Sequence, residues 1–388
     1  MSLSSNFFCD LATPGVQALQ PYQPGKPIEE LQREFGVSDI VKLASNENPL
    51  GPSPKAVAAA QEALAEIHRY PDGNGYLLRQ ALAAHHDIDP ICVTMGSGSN
   101  DLLEMVARAF LGPGREAVFA RHAFAIYAIA SQAVGATLVQ TPANPPDHAQ
   151  PCGHDLDAMQ AAITANTRVV FIANPNNPTG TWLTAEELER FFASVPRDVI
   201  IVLDEAYVEY AEAAPGYRQG ADWVRRYPNL VVTRTFSKAY GLAGLRVGYG
   251  LSSPEVADLL DRVRMPFNVS IPAQAAAIAA LTDQVHVQTS VELNRKEMAR
   301  LQDVLGAMGL SWLPSAGNFL CLRVGPRAGD IYQALLRQGV IVRPVGGGYQ
   351  LDEFLRVSVG LPRESDRFLA ALASLRDQGA QRVSMEVS

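Results

Sequence analysis

Residues 199–207 read VIIVLDEAY, an uninterrupted run of apolar, mostly β-branched residues that ends in an acidic pair. Similar apolar runs occur at residues 91–95, 169–172 and 230–233, and patterns typical of helices separate them. Strands that are apolar on both faces are typical of a parallel sheet covered by helices on both sides. The sequence therefore predicts an α/β fold with a mainly parallel central sheet flanked by helices.

The pattern changes after Arg264. Residues 273–308 are rich in helical periodicity, short strands are expected near residues 318–324 and 354–359, and an amphipathic helix is expected near residues 368–375. These elements predict a second, smaller α+β domain.

The N-terminal segment contains several prolines, which are Pro14, Pro21, Pro24 and Pro27. We expect this segment to be extended and to join the smaller domain. The predicted division is a large domain of residues 48–265 and a small domain formed by residues 1–47 together with residues 266–388.

Composition and charge exclude several classes of function. The 388 residues carry 40 acidic and 32 basic side chains, a net charge of -8. This length suggests two or three domains with large cores, and the acidic balance disfavours nucleic acid or an anionic membrane as a partner. The seven histidines, including the His85–His86 pair, have no metal-ligand spacing, so we predict no metal site and expect them to be packing or surface residues.

The number and spacing of the cysteines indicate the cellular compartment. The chain has four widely separated cysteines, which are Cys9, Cys92, Cys152 and Cys321. They are too few for a disulfide framework, and the first ten residues lack the basic and apolar regions of a secretory signal. We therefore expect reduced thiols and a cytoplasmic protein, with no segment that spans a bilayer.

In open α/β sheets, ligands bind beyond the carboxyl ends of the strands, so the polar residues after each apolar run are candidates for a site. The first run leads into GSGSND, residues 96–101, ahead of a helical pattern. The backbone N–H groups of Gly98, Ser99 and Asn100 could hold a phosphate at the start of this helix. Taken alone, this stretch is better explained by Ser99 or Asn100 as an ordinary helix cap.

The second and third runs end in amide and carboxylate groups. Residues 174–180, NPNNPTG, form a rigid turn or else present fixed amide donors, among them Asn177. The acidic pair that starts at Asp204 resembles the metal-binding strand of an ATPase. That interpretation fails because its phosphate-binding partner motif is absent and the one Gly-Lys pair, at Gly25, precedes a proline.

The fourth run leads into TFSKAYGLAGLR, residues 235–246. Lys238 lies among small and aromatic residues, and burial there would lower the pKa of its amine, as a Schiff-base lysine requires. The alternative is an ordinary solvated loop lysine. The four strand ends together decide between the two, because they supply a phosphate cup, amides, a carboxylate and an amine.

This set matches the groups of pyridoxal 5'-phosphate, which has an aldehyde, a ring nitrogen, a phenolic oxygen and a phosphate. We expect Lys238 to bond to the aldehyde and Asp204 to keep the ring nitrogen protonated. Asn177 and Tyr207 would donate hydrogen bonds to the phenolic oxygen.

The remaining groups would bind the phosphate. They are the amides of Gly98, Ser99 and Asn100, the hydroxyl of Ser237 and the guanidinium of Arg246.

The motifs NPNNPTG, DEAY and TFSKAYGLAGLR, in that order, resemble those of the fold-type-I pyridoxal-phosphate aminotransferases. KLASNENPLG (residues 42–51) and RYPDGNGYLLRQALA (residues 69–83) are similar to the histidinol-phosphate aminotransferase family. The resemblance covers nearly the whole chain. It implies a ping-pong transamination of L-histidinol phosphate with 2-oxoglutarate, giving imidazole acetol phosphate and L-glutamate in histidine biosynthesis.

The resemblance also implies roles for single residues. Tyr70 would reach the cofactor phosphate of a neighbouring subunit, which makes the active unit a homodimer with shared sites. The substrate would be contacted by Tyr22, Asn46, Arg343 and Arg356. An exposed charge at a strand edge is the ordinary explanation for such arginines, and it suits Arg343 better than Arg356, which lies in an apolar run.

One position departs from the family pattern, which often has a tyrosine where this chain has Phe124. Phe124 would still stack on the pyridine ring but has no hydroxyl. Three residues later, Tyr127 is interpreted as a packing residue.

Three alternatives remain at this point. Related family members decarboxylate threonine phosphate, and others accept phenylalanine or tyrosine as an aromatic-amino-acid aminotransferase. A third class, the pyridoxal-phosphate-dependent repressors, carries a basic DNA-binding domain ahead of this fold. The acidic charge and the early start of the first strand disfavour that class.

Overall fold

The structure is a computed structural model, and it describes residues 7–386, with side chains described as far as residue 375. The α-helices are α1 (Phe7–Leu11), α2 (Pro14–Gln17), α3 (Ile28–Phe35), α4 (Pro54–Ala63), α5 (Tyr76–His86), α6 (Ser99–Phe110), α7 (Ala125–Ala133), α8 (Leu156–Ala161), α9 (Ala185–Ser194), α10 (Val208–Ala211), α11 (Pro254–Val263), α12 (Ile271–Leu281), α13 (Gln284–Ala307), α14 (Ala328–Arg337) and α15 (Pro362–Glu386). The strands are β1 (Val41–Lys42), β2 (Val93–Gly96), β3 (Glu116–Ala120), β4 (Thr137–Thr141), β5 (Thr167–Ala173), β6 (Ile200–Asp204), β7 (Leu230–Thr235), β8 (Gly248–Leu251), β9 (Ser311–Trp312), β10 (Phe319–Arg323), β11 (Val340–Ile341), β12 (Arg343–Pro344) and β13 (Phe354–Ser358).

Seven strands form the central sheet in the order β2-β8-β7-β6-β5-β3-β4. The five strands from β7 to β4 are parallel, whereas β8 is antiparallel to both β2 and β7. The predicted mainly parallel sheet is confirmed, and the four apolar runs correspond to β2, β5, β6 and β7. The sequence does not predict β8, because its residues, Gly-Tyr-Gly-Leu, lack the β-branched pattern of a strand.

Two hydrophobic cores cover the two faces of this sheet, and successive residues of each strand alternate between them. In β7, for example, Leu230 and Val232 belong to one core and Val231 to the other. Helices α5, α9 and α12 supply the first core, and α6, α7 and α11 supply the second. Burial on both faces is the physical reason for the continuous apolar runs in the sequence.

Helices begin where the sequence places cap residues. Thr184 and Glu187 form a reciprocal capping box at the start of α9, and the hydroxyl of Ser253 accepts a hydrogen bond from the backbone of α11. Along residues 7–386, none of the helices has the length and apolar character that crossing a membrane requires.

The C-terminal part contains a four-stranded antiparallel sheet in the order β12-β13-β10-β9. Its core is formed with side chains of α13, α14 and α15. The expected strands near residues 318–324 and 354–359 are β10 and β13.

The N-terminal segment differs from the expectation of an extended chain, because it contains α1, α2 and α3. Pro14 and Pro27 do not prevent these helices: Pro14 occupies the first turn of α2, and Pro27 is the N-cap of α3. Proline lacks only an N–H that has no helical partner at those positions. Strand β1 then pairs with β11, and Leu31 of α3 packs with Leu336 and Ile341.

The division into two domains stays a proposal. Helix α12 packs its alanines into the core of the central sheet, while Leu301 and Leu305 of α13 pack in the C-terminal core. Helix α13 also contributes Val287 to the first core. This packing favours a boundary within α13 over the predicted one at residue 265.

Candidate active site

The carboxyl ends of β5, β6 and β7 open into one cavity that most of the predicted site residues line. These are Tyr22, Asn46, Ser99, Asn100, Phe124, Asn177, Asp204, Tyr207, Ser237, Lys238, Arg246, Arg343 and Arg356. Gly98 and Tyr70 are not among the lining residues. The structure therefore assembles residues more than 300 positions apart in the chain around a single space.

Lys238 lies just after β7, where the chain turns away from the sheet. Its Nζ donates a hydrogen bond to the backbone oxygen of Ser45 at 2.9 Å and lies 5.7 Å from the ring centre of Tyr207. Burial, together with the positive charge of Arg356, lowers the pKa of the Lys238 amine to about 7. An appreciable fraction of this amine is therefore uncharged and nucleophilic near neutral pH.

Asp204 is the last residue of β6 and is almost completely buried. Thr233 Oγ1 donates to one carboxylate oxygen at 3.1 Å, and the hydroxyl of Tyr127 donates to the other at 2.8 Å. Burial raises the pKa of Asp204 to about 6, although both hydrogen bonds oppose the shift. This carboxylate would be stabilised by a cationic group in the cavity.

Tyr127 therefore does more than the sequence analysis assigned to it. The prediction that it packs is correct, since its ring stacks on Phe171 with centroids 4.8 Å apart. Its bond to Asp204 adds a role in orienting that carboxylate. Sequence alone offers one weak signal: Tyr127 lies three residues after Phe124, which is one helical turn.

The two members of the acidic pair have different surroundings. Asp204 faces the cavity, whereas Glu205 is fully buried and accepts hydrogen bonds from Arg234 at 2.7 and 3.0 Å and from the backbone of Gly220 at 2.6 Å. Glu205 therefore anchors the turn after β6 within the core, and Asp204 alone is available to a ligand.

The predicted phosphate cup lies at the start of α6. The alternative in which Ser99 or Asn100 caps the helix is wrong, because the N-cap is Gly98 and it makes no side-chain cap hydrogen bond. Gly98 has a positive φ of 85°, and an added Cβ would collide with the guanidinium of Arg246. Arg246 in turn donates to Ser237 Oγ at 3.1 Å. The backbone N–H groups at the start of α6, the Ser237 hydroxyl and the Arg246 guanidinium are therefore donors around Gly98. Only glycine fits at that position.

A second group of donors surrounds Tyr207 and Asn177. The Tyr207 hydroxyl oxygen accepts a hydrogen bond from Asn46 Nδ2 at 2.9 Å, and burial raises the pKa of Tyr207 to about 12. Asn177 Oδ1 accepts from Arg356 at 2.5 Å. The Tyr207 hydroxyl proton and the Asn177 amide hydrogens therefore remain available to a ligand.

Two arginines are neighbours on adjacent strands of the small sheet, because Arg343 of β12 is paired with Arg356 of β13. Both are buried, so the explanation of Arg343 as an exposed strand-edge charge is wrong. Arg343 donates to the backbone oxygen of Gln23 at 2.6 Å and lies 5.7 Å from the ring of Tyr22.

Arg356 donates to the backbone oxygen of Ala44 at 2.6 Å as well as to Asn177, but its buried Nε has no partner in the described part of the chain. A buried donor without a partner is costly, and like charges on adjacent strands repel. An anion bound between Arg343 and Arg356 would relieve both penalties.

Tyr70 lies outside the cavity. Its side chain is 81% exposed and stacks on Phe267 with centroids 4.7 Å apart. Asn268, the next residue, donates to Asp101 Oδ2 at 2.7 Å in the first turn of α6. Tyr70 is therefore an exposed ring held near the beginning of the helix that bears the phosphate cup.

The sequence and the fold of the chain are similar to those of known proteins. The sequence profile of the family described as aminotransferase class I and II matches residues 38–372. The chain is 59% identical to histidinol-phosphate aminotransferase 2 of Pseudomonas aeruginosa over 370 residues, which cover 95% of this chain and 98% of that protein.

Two solved structures are similar in fold. Histidinol-phosphate aminotransferase of Sinorhizobium meliloti, in complex with pyridoxal-5'-phosphate, is 32% identical with a TM-score of 0.83, covering 94% of this chain and 98% of that one. L-threonine-O-3-phosphate decarboxylase of Porphyromonas gingivalis is 24% identical with a TM-score of 0.76, covering 87% and 100%. The second likeness concerns the fold alone.

The cup at Gly98 yields a first prediction. Gly98→Ala should weaken binding of pyridoxal 5'-phosphate about tenfold or more, because its Cβ strains the backbone and displaces Arg246. Equilibrium titration followed by absorbance measures the dissociation constant. The matched control is Gly112→Ala, where an added Cβ meets open space. Equal affinities for the two variants would contradict the assignment of the cup.

Asp204 yields a second prediction, on the chain without cofactor. Because burial raises its folded-state pKa from 3.8 to about 6, Asp204 favours the folded state at low pH, and that contribution is lost as the pH rises through about 6. The free energy of unfolding of Asp204→Asn, minus that of wild type, should therefore increase by roughly 2 kcal/mol as the pH rises from about 4.5 to about 7.5. Urea unfolding at a series of pH values measures this difference. The exposed Asp147→Asn control should show no such gain, and equal behaviour of the two variants would refute the prediction.

Proposed function

The chain belongs to the class I and II aminotransferases, and on that premise we propose that it transfers the amino group of L-histidinol phosphate to 2-oxoglutarate, with pyridoxal 5'-phosphate as the cofactor. The observation that carries the proposal is one cavity that joins a lysine of lowered pKa, a buried carboxylate and a buried arginine with an unused donor. High identity to histidinol-phosphate aminotransferases over nearly the full length supports the same reaction.

The donor set fits the proposed cofactor. A glycine cradle that a Cβ would fill and the uncapped first turn of α6 suit a phosphate group. The buried Asp204 suits a protonated ring nitrogen, and the free protons of Tyr207 and Asn177 suit a phenolic oxygen. Phe124, at the N-cap of α7, would pack against the ring.

When bound, pyridoxal 5'-phosphate supplies an aldehyde that captures amines and a ring that accepts the electrons of the bond broken at the substrate carbon. Lys238 then has two tasks. Its uncharged amine would hold the cofactor at the aldehyde, and once a substrate amine has taken that place, the same amine would accept the proton of the substrate carbon. A pKa of about 7 suits both, since the amine can take up and release a proton near neutral pH.

Asp204 acts by its charge. Tyr127 and Thr233 fix both of its oxygens, and a carboxylate held in this way would keep the ring nitrogen of the cofactor protonated. Little water can screen the interaction at this depth. Tyr207 and Asn177 would instead donate hydrogen bonds to the phenolic oxygen of the cofactor.

The two arginines suit the anions of both substrates. Histidinol phosphate offers a phosphate and 2-oxoglutarate a distal carboxylate, and the two compounds would use the site in alternate half-reactions. Arg356 offers its free Nε from a buried position, and Arg343 lies opposite it beside Tyr22. Guanidinium groups bind phosphate and carboxylate with the same planar geometry. Asn46 completes this side of the cavity.

We also propose that the active unit is a homodimer with shared sites. Exposed apolar side chains lie near Tyr70 in the sequence or near its stacking partner Phe267, and they are Leu64, Ile67, Leu77, Met265 and Phe267. Exposed apolar side chains in this number are a common sign of a protein–protein contact. The Tyr70 hydroxyl would then reach the phosphate in the neighbouring subunit. The cytoplasmic location remains a prediction from the separated thiols, which form no disulfide within the described residues.

Half-reactions on purified protein test the function. L-histidinol phosphate should convert the visible absorbance of the bound cofactor to that of the aminated form, faster than phenylalanine or threonine phosphate does. Lys238→Ala should lose this band and nearly all turnover, whereas the exposed Lys296→Ala should keep both. Faster reaction of phenylalanine would favour the aromatic enzyme. Release of carbon dioxide from threonine phosphate without an amino acceptor would favour the decarboxylase.

The shared site has a test of its own. Chains carrying Lys238→Ala and chains carrying Tyr70→Ala should each be impaired at limiting cofactor. Unfolding and refolding them together should restore activity that neither has alone, because mixed dimers contain one site with both native residues. Activity equal to the average of the two separate samples would contradict the proposal.

A further inference from the structure

A chain of buried hydrogen bonds joins the small sheet to Tyr207. Asn46 Nδ2 donates to the Tyr207 hydroxyl at 2.9 Å, and Ser358 Oγ donates to Asn46 Oδ1 at 2.8 Å. The backbone N–H of Asn46 donates to the same Ser358 oxygen at 2.9 Å. All three residues are nearly inaccessible to solvent. Ser358 itself does not line the cavity.

The direction of these bonds is fixed by the backbone. Because the Asn46 N–H can only donate, Ser358 Oγ must accept that bond, and its single proton is free for Asn46 Oδ1. The amide of Asn46 is therefore held with its NH₂ group toward Tyr207. The Tyr207 oxygen accepts that bond, so its own proton must point elsewhere.

The position of Asn46 leaves it little freedom to rearrange. Its backbone has a positive φ of 55°, and its carbonyl oxygen accepts from Asn318 Nδ2 at 3.0 Å. Ser358 is the last residue of β13 and donates its own N–H to Leu43 at 2.9 Å. The Asn46–Ser358 pair is thus fixed from both sides.

We propose that Ser358 is a positioning residue: through Asn46 it turns the Tyr207 hydroxyl proton toward the phenolic oxygen of the cofactor. The inference rests on the proposed function and deepens it. Without the Ser358 hydroxyl, the Asn46 amide can rotate by half a turn and present its oxygen to Tyr207. The Tyr207 proton would then go to Asn46, and only lone pairs would face the cofactor.

The arrangement also connects two functions on one strand. Arg356 and Ser358 are two residues apart on β13 and share a face of it, so one strand positions both the substrate anion and the donor at the cofactor oxygen. Phe319, which is paired with Ser358 in the sheet, packs edge-on against Tyr207 with centroids 5.2 Å apart.

The test measures a spectroscopic pKa. A donor to the phenolic oxygen favours the deprotonated form of the cofactor–Lys238 linkage, so losing it should raise the pH at which the visible band titrates. Tyr207→Phe should raise this pKa by about 0.5 to 1 pH unit, and Ser358→Ala should produce most of the same shift. Ser358→Thr, which keeps the hydroxyl, should titrate like wild type.

A double variant distinguishes an effect of Ser358 that passes through the Tyr207 hydroxyl from an unrelated structural effect of the substitution. If Ser358 acts through Tyr207, Tyr207→Phe with Ser358→Ala should titrate like Tyr207→Phe alone. Ser365→Ala is the matched control, because Ser365 is a buried serine whose Oγ has no partner among the described residues. It should leave the titration unchanged. Should Ser358→Ala fail to fold, Ser358→Cys, with its weaker donor, should shift the pKa in the same direction.

Two results would overturn the inference alone. They are a wild-type titration of folded Ser358→Ala, or of Ser358→Cys in its place, and additive shifts in the double variant. A wild-type chain that gives no visible band with pyridoxal 5'-phosphate would instead overturn the proposed function, and this inference with it.

Discussion

The register of the parallel strands β5, β6 and β7 is the constraint on which the site depends. Asp204 pairs with Ala173 on one side and Thr233 on the other, and Thr233 also donates to its carboxylate. Because side chains alternate along a strand, a slip of one residue would turn Asp204 to the opposite face. The packing of the two cores opposes that slip, because it would exchange the side chains that each close-packed core accommodates. The same packing that stabilises the sheet therefore aims the carboxylate.

Burial supplies the chemistry as well as the stability. It lowers the pKa of Lys238 to about 7 and raises that of Asp204 to about 6, so both groups titrate near neutral pH within one cavity. Each shift reflects a charged form that lacks water and has too few partners of opposite sign. A ligand with a protonated ring nitrogen and an electrophilic carbon would satisfy both groups.

The anion side of the cavity comes from different parts of the chain. Arg343 and Arg356 are cross-strand neighbours in the small sheet, and backbone oxygens of Gln23 and Ala44 orient them. These contacts explain why the N-terminal segment is packed against the C-terminal part. Helix α3 and strand β1 hold the segment there through the Leu31 core and the pairing with β11. Ser358, which lies on the same sheet, is linked to Tyr207 by hydrogen bonds through Asn46.

Four of the seven strands of the central sheet, and most of the site, could be predicted from the sequence. Apolar runs that end in polar residues predict parallel strands, and their carboxyl ends must meet at one edge, so Lys238, Asp204 and Asn177 could be grouped without coordinates. The sequence could not predict β8, the N-terminal helices or the bond from Tyr127 to Asp204. It also gave no sign of the Asn46–Ser358 pair, whose members are 312 positions apart. Strand and loop signals are local, whereas a hydrogen bond between distant side chains depends on how the elements pack, and only the tertiary structure decides that.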